Sequence, residues 1–353
     1  QIITENAPRV KRAGGEAPQT FQNIILHTGS TQRIMGYEYH PEGSLNLVKT
    51  SANTSLTDGN SCYSLAGAVY GVYSDSGCTT QVDTLTTDGA GNSNTISLTV
   101  GTYFVKEITV PKGYAKDNSI HSINVESEKT STVRVSDIPT NDPIRITLSK
   151  IDQQTGEATQ GGASLEGAEF TVKYYDGYYN SGNLPGNATR TWVIKTTKTS
   201  GGKYVASLND TCKVSGDPYY KAGSIVCVPL GTISIEETKA PTGYKLEGAY
   251  LQASGSSSKI TGKYVAQVTQ NGDIASLKGG NEYTISDSVE RGGIAVRKYD
   301  NETSTYTPQG GATLKGAKIA IITDNDQDLV EDGLVYSKRQ TRKTLTTEAN
   351  GFA

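Results

Sequence analysis

The 353-residue sequence predicts an all-β chain of tandem β-sandwich domains in a rod-like array. Three observations carry this. Short apolar runs alternate with period two, and no helical periodicity is sustained. The composition, with 39 Gly, 21 Tyr and a single Met, suits strands and turns better than helices. The same residue pattern also recurs along the chain, which is the mark of repeated modules. A hydrophobic content of 35% fits small sandwiches whose sheets keep one wet face.

Each unit begins with a strand carrying a lysine where alternation calls for a buried apolar side chain. Lys49 ends Leu45-Asn46-Leu47-Val48-Lys49, Lys150 ends Ile146-Thr147-Leu148-Ser149-Lys150, and Lys298 ends Ile294-Ala295-Val296-Arg297-Lys298. Each shares its strand face with two aliphatic residues. A lone ammonium there is costly. Carboxyl partners emerge by the same parity rule: Glu107 follows Tyr103 and Val105, and Glu237 follows Ile233 and Ile235. Asp137 follows Val133 and Val135, and Asp287 follows Tyr283 and Ile285. Lys, Glu and Asp thus recur in one order in two successive units.

Burial lowers a lysine pKa and raises carboxyl pKa values, so such a set can hold a neutral amine beside a protonated acid. The amine can attack the Asp carbonyl to give an intramolecular amide with loss of water. The alternative reading of the same residues is a buried ion triad. Asn141 and Asn281 lie close in sequence to the two acceptors and are the fallback acceptors, and Asn281 shares the parity of Asp287.

Two further motifs accompany these sets. Leu65-Ala66-Gly67-Ala68, Leu165-Glu166-Gly167-Ala168 and Leu314-Lys315-Gly316-Ala317 repeat an L-x-G-A pattern. Glu107-Ile108-Thr109-Val110-Pro111-Lys112-Gly113-Tyr114 and Glu237-Thr238-Lys239-Ala240-Pro241-Thr242-Gly243-Tyr244 repeat an E-box. With the first-strand lysines, these segments resemble the Cna B-type, or SpaA-like, prealbumin-like domains of Gram-positive surface adhesins and pilins. The resemblance implies an Ig-like seven-stranded sandwich with an isopeptide bond between first and last strands, promoted by the E-box glutamate. Carried over by position, Lys49 joins Asp137 under Glu107, and Lys150 joins Asp287 under Glu237. Many members of the family use Asn as acceptor, whereas both positions here are Asp.

The expected organisation is a leader or end of an upstream domain over 1–43, then units over 44–143, 144–292 and 293–353. The third stops before an E-box or acceptor, leaving Lys298 unpaired and the core poorly buried. Lys49 to Lys150 spans 101 residues and Lys150 to Lys298 spans 148, so the second unit carries extra sequence. That surplus is expected in 174–192 and 209–225. The chain starts at Gln1 with no secretion signal or apolar run long enough to span a membrane, which reads as a segment of a longer exported protein.

Cys62 with Cys78, and Cys212 with Cys227, fall as two local pairs and predict two disulfides in an oxidising compartment. Neither spacing nor nearby His supports a metal site, and no cofactor is expected. Asp324, Asp326 and Asp328 open like a calcium loop, but Leu329 and Val335 stand where its glycine and glutamate belong, so this is an acidic solvated loop. His27, His40 and His121 are scattered without a triad context, and a net charge of −3 excludes a basic nucleic-acid surface.

The sequence therefore predicts a non-enzymatic, cell-wall-attached surface stalk whose sole chemistry is one self-modification per domain. Its partners are further domains of the same polypeptide, with no membrane contact in this segment. Two other readings stand beside it. The units could bind host matrix protein or glycan through Tyr174-Tyr175-Asp176-Gly177-Tyr178-Tyr179, or could space a secreted enzyme from the wall.

Overall fold

The computed structural model describes residues 40–143, 148–156, 158–246, 251–252, 259–260, 263–270, 283–324, 327–331 and 333–353. The expected leader before residue 40, Asn281 and Asp326 lie outside them. The chain divides into two compact units, Gln1–Pro41 and Glu42–Ala353, and every described strand lies in the second.

The first sandwich follows from strict alternation. In β1 (Glu42–Ser51), Leu45, Leu47 and Lys49 point inward and are fully buried, while the residues between them are half-exposed. β1 lies between β4 (Ile96–Thr99) and β7 (Thr130–Asp137), antiparallel to the former and parallel to the latter. The facing sheet has the order β3 (Gln81–Thr86), β2 (Val69–Tyr73), β5 (Gly101–Thr109), β6 (Ile120–Val125). Leu45, Leu47, Tyr70, Val72, Leu85, Val105 and Val125 fill the space between, all at 0% exposure. The result is the seven-stranded plan that the motifs imply.

The second sandwich repeats this plan with additions. β9 (Leu148–Asp152) runs parallel to β21 (Tyr283–Asp287) and antiparallel to β13 (Tyr204–Ala206). β12 (Thr197–Lys198), β18 (Leu251–Gln252) and β19 (Lys259–Ile260) extend that sheet. Opposite it, β11 (Arg190–Lys195), β10 (Glu169–Tyr175), β17 (Gly231–Lys239) and β20 (Tyr264–Val268) correspond in order to β3, β2, β5 and β6. The added β14 (Lys213–Gly216) continues this sheet at the β11 edge.

Further surplus makes a hairpin, β15 (Tyr220–Ala222) and β16 (Ile225–Pro229), that reaches back to the connection between the sandwiches. There β8 (Asn141–Asp142) pairs with β16, Asp142 opposite Val228 and Asn141 opposite Pro229. From the other side the loop around α1 (Thr54–Thr57) packs into the second sandwich. Leu56, Cys62 and Tyr63 join its buried cluster, and the Tyr63 hydroxyl accepts from the Leu230 amide at 2.9 Å. The Asn60 amide donates to the Leu230 carbonyl at 3.0 Å and to the Tyr174 hydroxyl at 2.8 Å. The joint between the sandwiches is therefore packed and hydrogen-bonded on both sides of the chain.

The L-x-G-A motif is one turn built three times. Gly67, Gly167 and Gly316 have φ of 83°, 85° and 87°, a region that disfavours side chains. In each copy a threonine closes the turn: the Thr87, Thr196 and Thr347 hydroxyls donate to the Leu65, Leu165 and Leu314 carbonyls at 2.6, 2.7 and 2.6 Å. The same hydroxyls accept from the Ala68, Ala168 and Ala317 amides.

Beyond residue 293 the chain forms β22 (Lys318–Ile322) against β25 (Thr341–Thr346), and β23 (Leu329–Glu331) against β24 (Leu334–Tyr336). The Lys298 amide donates to the Gly351 carbonyl at 2.8 Å, as the Lys49 amide does to Gly91 at the same distance. This backbone contact of the first repeat is thus reproduced here. The expected burial of the lysine is not: Lys298 is exposed and Ile294 is 64% exposed. The expected strand is also missing: residues 294–298 form only an isolated bridge, Arg297 with Phe352, so alternation has no sheet in which to turn Lys298 inward. Leu314 is the one buried hydrophobic side chain of this unit among them.

The two expected disulfides are absent, and all four cysteines carry free thiols. Cys62 lies in the loop packed between the sandwiches, whereas Cys78 sits in the β2–β3 turn at φ 53°. Cys212 follows the turn at Asn209, whose side chain accepts from its amide at 2.8 Å, and Cys227 pairs across the hairpin with Tyr220. Nearness in sequence does not place either pair face to face. Burial also raises the Cys62 thiol pKa and pushes that of Cys227 up to about 11, which keeps both protonated and slow in exchange.

A buried Lys-Glu-Asp set in each sandwich

In the first sandwich Lys49 and Asp137 come from neighbouring parallel strands. Lys49 is in register with Val135, so Asp137 lies two residues further on and on the same face. In the second, Lys150 is in register with Ile285 and Asp287 again lies two residues on. The glutamates come from the facing sheets, with Glu107 opposite Tyr70 and Glu237 opposite Phe170. A bulge follows each glutamate's pair, between Val69 and Tyr70 and between Glu169 and Phe170. It breaks the ladder where the E-box begins and increases the local twist.

The side chains meet in both. The Lys49 Nζ contacts Asp137 Oδ2, lies 3.0 Å from Glu107 Oε1, and donates to the Tyr70 hydroxyl at 2.6 Å. The Lys150 Nζ lies 2.7 Å from both Glu237 Oε2 and Asp287 Oδ2. All six side chains are at 0% exposure. Glu107 is fixed by a second bond, its Oε2 accepting from the Asp117 amide at 2.8 Å.

Burial sets the electrostatics. Desolvation raises the Asp137 carboxyl, and the neighbouring Glu107 adds to this through charge and a shared hydrogen bond, against the opposing pull of Lys49. Desolvation pushes Glu237 up to about 7, helped by Asp287 and opposed by Lys150. In the second site a protonated Glu237 next to a carboxyl and an amine is thus accessible at neutral pH. Such a set can hold an ion triad, or pass protons until a neutral amine faces a neutral carboxyl.

Of the other sequence-derived positions, Asn141 is in β8, opposite Pro229. The tyrosine-rich segment is turned mostly inward: Tyr174 and Tyr175 are 0% and 3% exposed, while Tyr178 is 39% exposed. The Tyr174 hydroxyl is held by the Leu230 carbonyl and by Asn60. The parity argument missed Tyr70. Its available signal was position, since Ala68, Tyr70 and Val72 alternate inward directly after the L-x-G-A turn.

The model of the SpaA prealbumin-like fold domain matches residues 44–139 and 144–270. Among solved structures, the chain is similar to the Bacillus anthracis TIE protein at 20% identity and TM-score 0.49, covering 89% of this chain and 42% of that one. It is similar to the pilus adhesin SpaC C-terminal fragment from Lactobacillus rhamnosus GG at 15% identity and TM-score 0.36, covering 86% and 99%. It is also similar to BcpA, the major pilin subunit of Bacillus cereus, in its D312A form, at 18% identity and TM-score 0.29, covering 88% and 84%. The chain therefore spans less than half the length of the TIE protein. No curated protein matches it.

Proposed function

Because the chain belongs to the SpaA prealbumin-like fold domain family, we propose that it is a tension-bearing stalk segment of a Gram-positive surface adhesin or pilin, stapled by two self-formed Lys–Asp amides. The units on this reading run 44–143, 144–292 and 293–353. The observation that carries the proposal is the repeated burial of one Lys, one Glu and one Asp at the same strand offset in two sandwiches.

The reaction needs two acid protons shared over the three groups. The lysine gives one proton to the aspartate and becomes a neutral amine, while the glutamate stays protonated and donates to the aspartyl carbonyl oxygen. The nitrogen attacks Cγ. An amine proton then passes through the glutamate to the departing hydroxyl, so an amide forms, one water leaves and the glutamate is protonated as before. Desolvation favours each neutral form over its charged one, and water release makes the step one-way in practice. Glu107 and Glu237 promote the bond, and Lys49, Asp137, Lys150 and Asp287 are consumed in it.

The staple suits the architecture. Closing a loop of ~100 residues removes unfolded-state entropy worth roughly 4–5 kcal/mol, by the scaling known for disulfides. Exposed position at the wall and attachment to it belong to the same proposal. Among the described residues no helix is long and apolar enough to cross a membrane.

Intact mass of the reduced full chain tests it. The chain is expected two waters light, Lys49→Ala or Lys150→Ala one water light, and the double variant at full mass. Full calculated mass for the unsubstituted chain would leave two buried ion triads in its place.

A further inference from the structure

We infer that the Tyr70 hydroxyl is a positioning group for the first site, one that the second site lacks; this rests on the amide-forming reading above. The two sites match in strand register, burial and acid set, but differ in the residue opposite the glutamate. Tyr70 faces Glu107 across the ladder, and Phe170 faces Glu237 at the corresponding place. Both rings are at 0% exposure. Only Tyr70 reaches the lysine with a polar atom, 2.6 Å from Nζ, and the ammonium also lies 5.0 Å from its ring centre.

The geometry gives the hydroxyl a task. A lysine nitrogen has three directions besides its bond to Cε. Around Lys49 these are occupied by Tyr70, Glu107 and Asp137. When the amine is neutral it has two N–H bonds and one lone pair. With Tyr70 and Glu107 accepting the two N–H bonds, the lone pair is left facing Asp137, which is the direction of attack on Cγ. Among the described residues the polar neighbours of the Lys150 amine are Glu237 and Asp287, and Phe170 offers no oxygen to hold a second N–H bond, so nothing from that side fixes the lone pair. Burial raises the Tyr70 pKa, so the hydroxyl stays an uncharged phenol throughout. Tyr70 exchanges no proton in the reaction; the amide still forms from amine and carboxyl with loss of one water.

The bond closes once per molecule, so its rate must be read during synthesis. The full chain is made as a cell-free translation pulse and sampled by intact mass over time, with Lys150→Ala isolating the first site and Lys49→Ala the second. Tyr70→Phe, which removes only the oxygen, is expected to slow the first bond about tenfold, the worth of one hydrogen bond in a barrier. The midpoint of the rate against pH should not move, because no proton is added or lost. Phe170→Tyr in the Lys49→Ala background should speed the second bond, which keeps the inference testable if Tyr70→Phe folds poorly. An unchanged rate in Tyr70→Phe, with or without a lower melting temperature, would make the hydroxyl a packing feature and overturn the inference. A shifted pH midpoint would overturn it too, by making Tyr70 part of the proton inventory. Absence of any water deficit in the unsubstituted chain is a separate result, and it would sink the amide reading itself.

Discussion

At the residue scale, Glu237 is the group whose protonation should be visible. Its pKa is raised to about 7, chiefly by burial. A raised carboxyl pKa means that the folded domain keeps the proton at neutral pH and gives it up as pH rises through 7. The reactive form needs that proton. Formation of the second bond is therefore expected to slow above about pH 7, measured by the same timed mass readout in the Lys49→Ala background. A rate that climbs steadily through pH 8 would show that lysine deprotonation limits the step. Glu237→Ala and Asp287→Ala should each stop the second bond while leaving the first, seen as one water lost instead of two.

Six of these residues were legible from parity, because a charge on an apolar strand face has few physical explanations. Tyr70 was not, since a buried tyrosine and a buried phenylalanine make the same pattern. Lys298 shows the reverse failing. Parity assumes a strand, and residues 294–298 form only one isolated bridge, Arg297 with Phe352. The cysteines failed for a related reason: short separation is necessary for a local disulfide but does not set the direction of either side chain.

At the element scale, the threonine that closes each L-x-G-A turn does the work of a cap. Thr87 both donates to the Leu65 carbonyl and accepts from the Ala68 amide, and is 4% exposed. Thr87→Val keeps the shape and strands both backbone groups. A loss of about 1–3 kcal/mol is expected, read from denaturant unfolding in the Lys49→Ala background so that the cross-link does not mask it. The motif itself was legible in the sequence three times. Its threonine lies 20 or more residues downstream at unequal spacing, and only the fold brings it back. The β15–β16 hairpin was likewise visible only as surplus length, because pairing with β8 depends on where the first sandwich ends.

For the whole molecule, the expected plan of repeated sandwiches was legible because alternation and the repeated motifs agree. What the sequence did not disclose is the joint. The expected rod-like array carried no sign of contacts between its domains, whereas Asn60, Tyr63 and β8 tie the two sandwiches together. Asn60→Ala removes donors to Leu230 and Tyr174 from a residue 7% exposed. In the Lys49→Ala, Lys150→Ala background it is expected to cost about 1–3 kcal/mol and to split one calorimetric transition into two. A single unaltered transition would mean that the sandwiches melt together for some other reason.

The β8 pairing has a further consequence once both amides are in place. A pull along the chain enters through Lys49, crosses to Asp137, and re-enters the second sandwich at Lys150 to leave at Asp287. Everything between the two ends of each amide hangs outside that line and carries none of the load. The stretch from Asp137 to Lys150 is then the one place in this path where the backbone can lengthen, by no more than its contour of about 45 Å. Among the described residues it is held by two ladder pairs with β16, by amide–carbonyl bonds of Ile138 with Ala115 and of Thr140 with Gly113, by the Tyr63 hydroxyl on the Thr140 carbonyl, and at Leu148 and Ser149 by the β9 ladders. Under load the joint would act as a short spring with a hard stop: these few bonds open, the slack runs out, and on release the same bonds re-form.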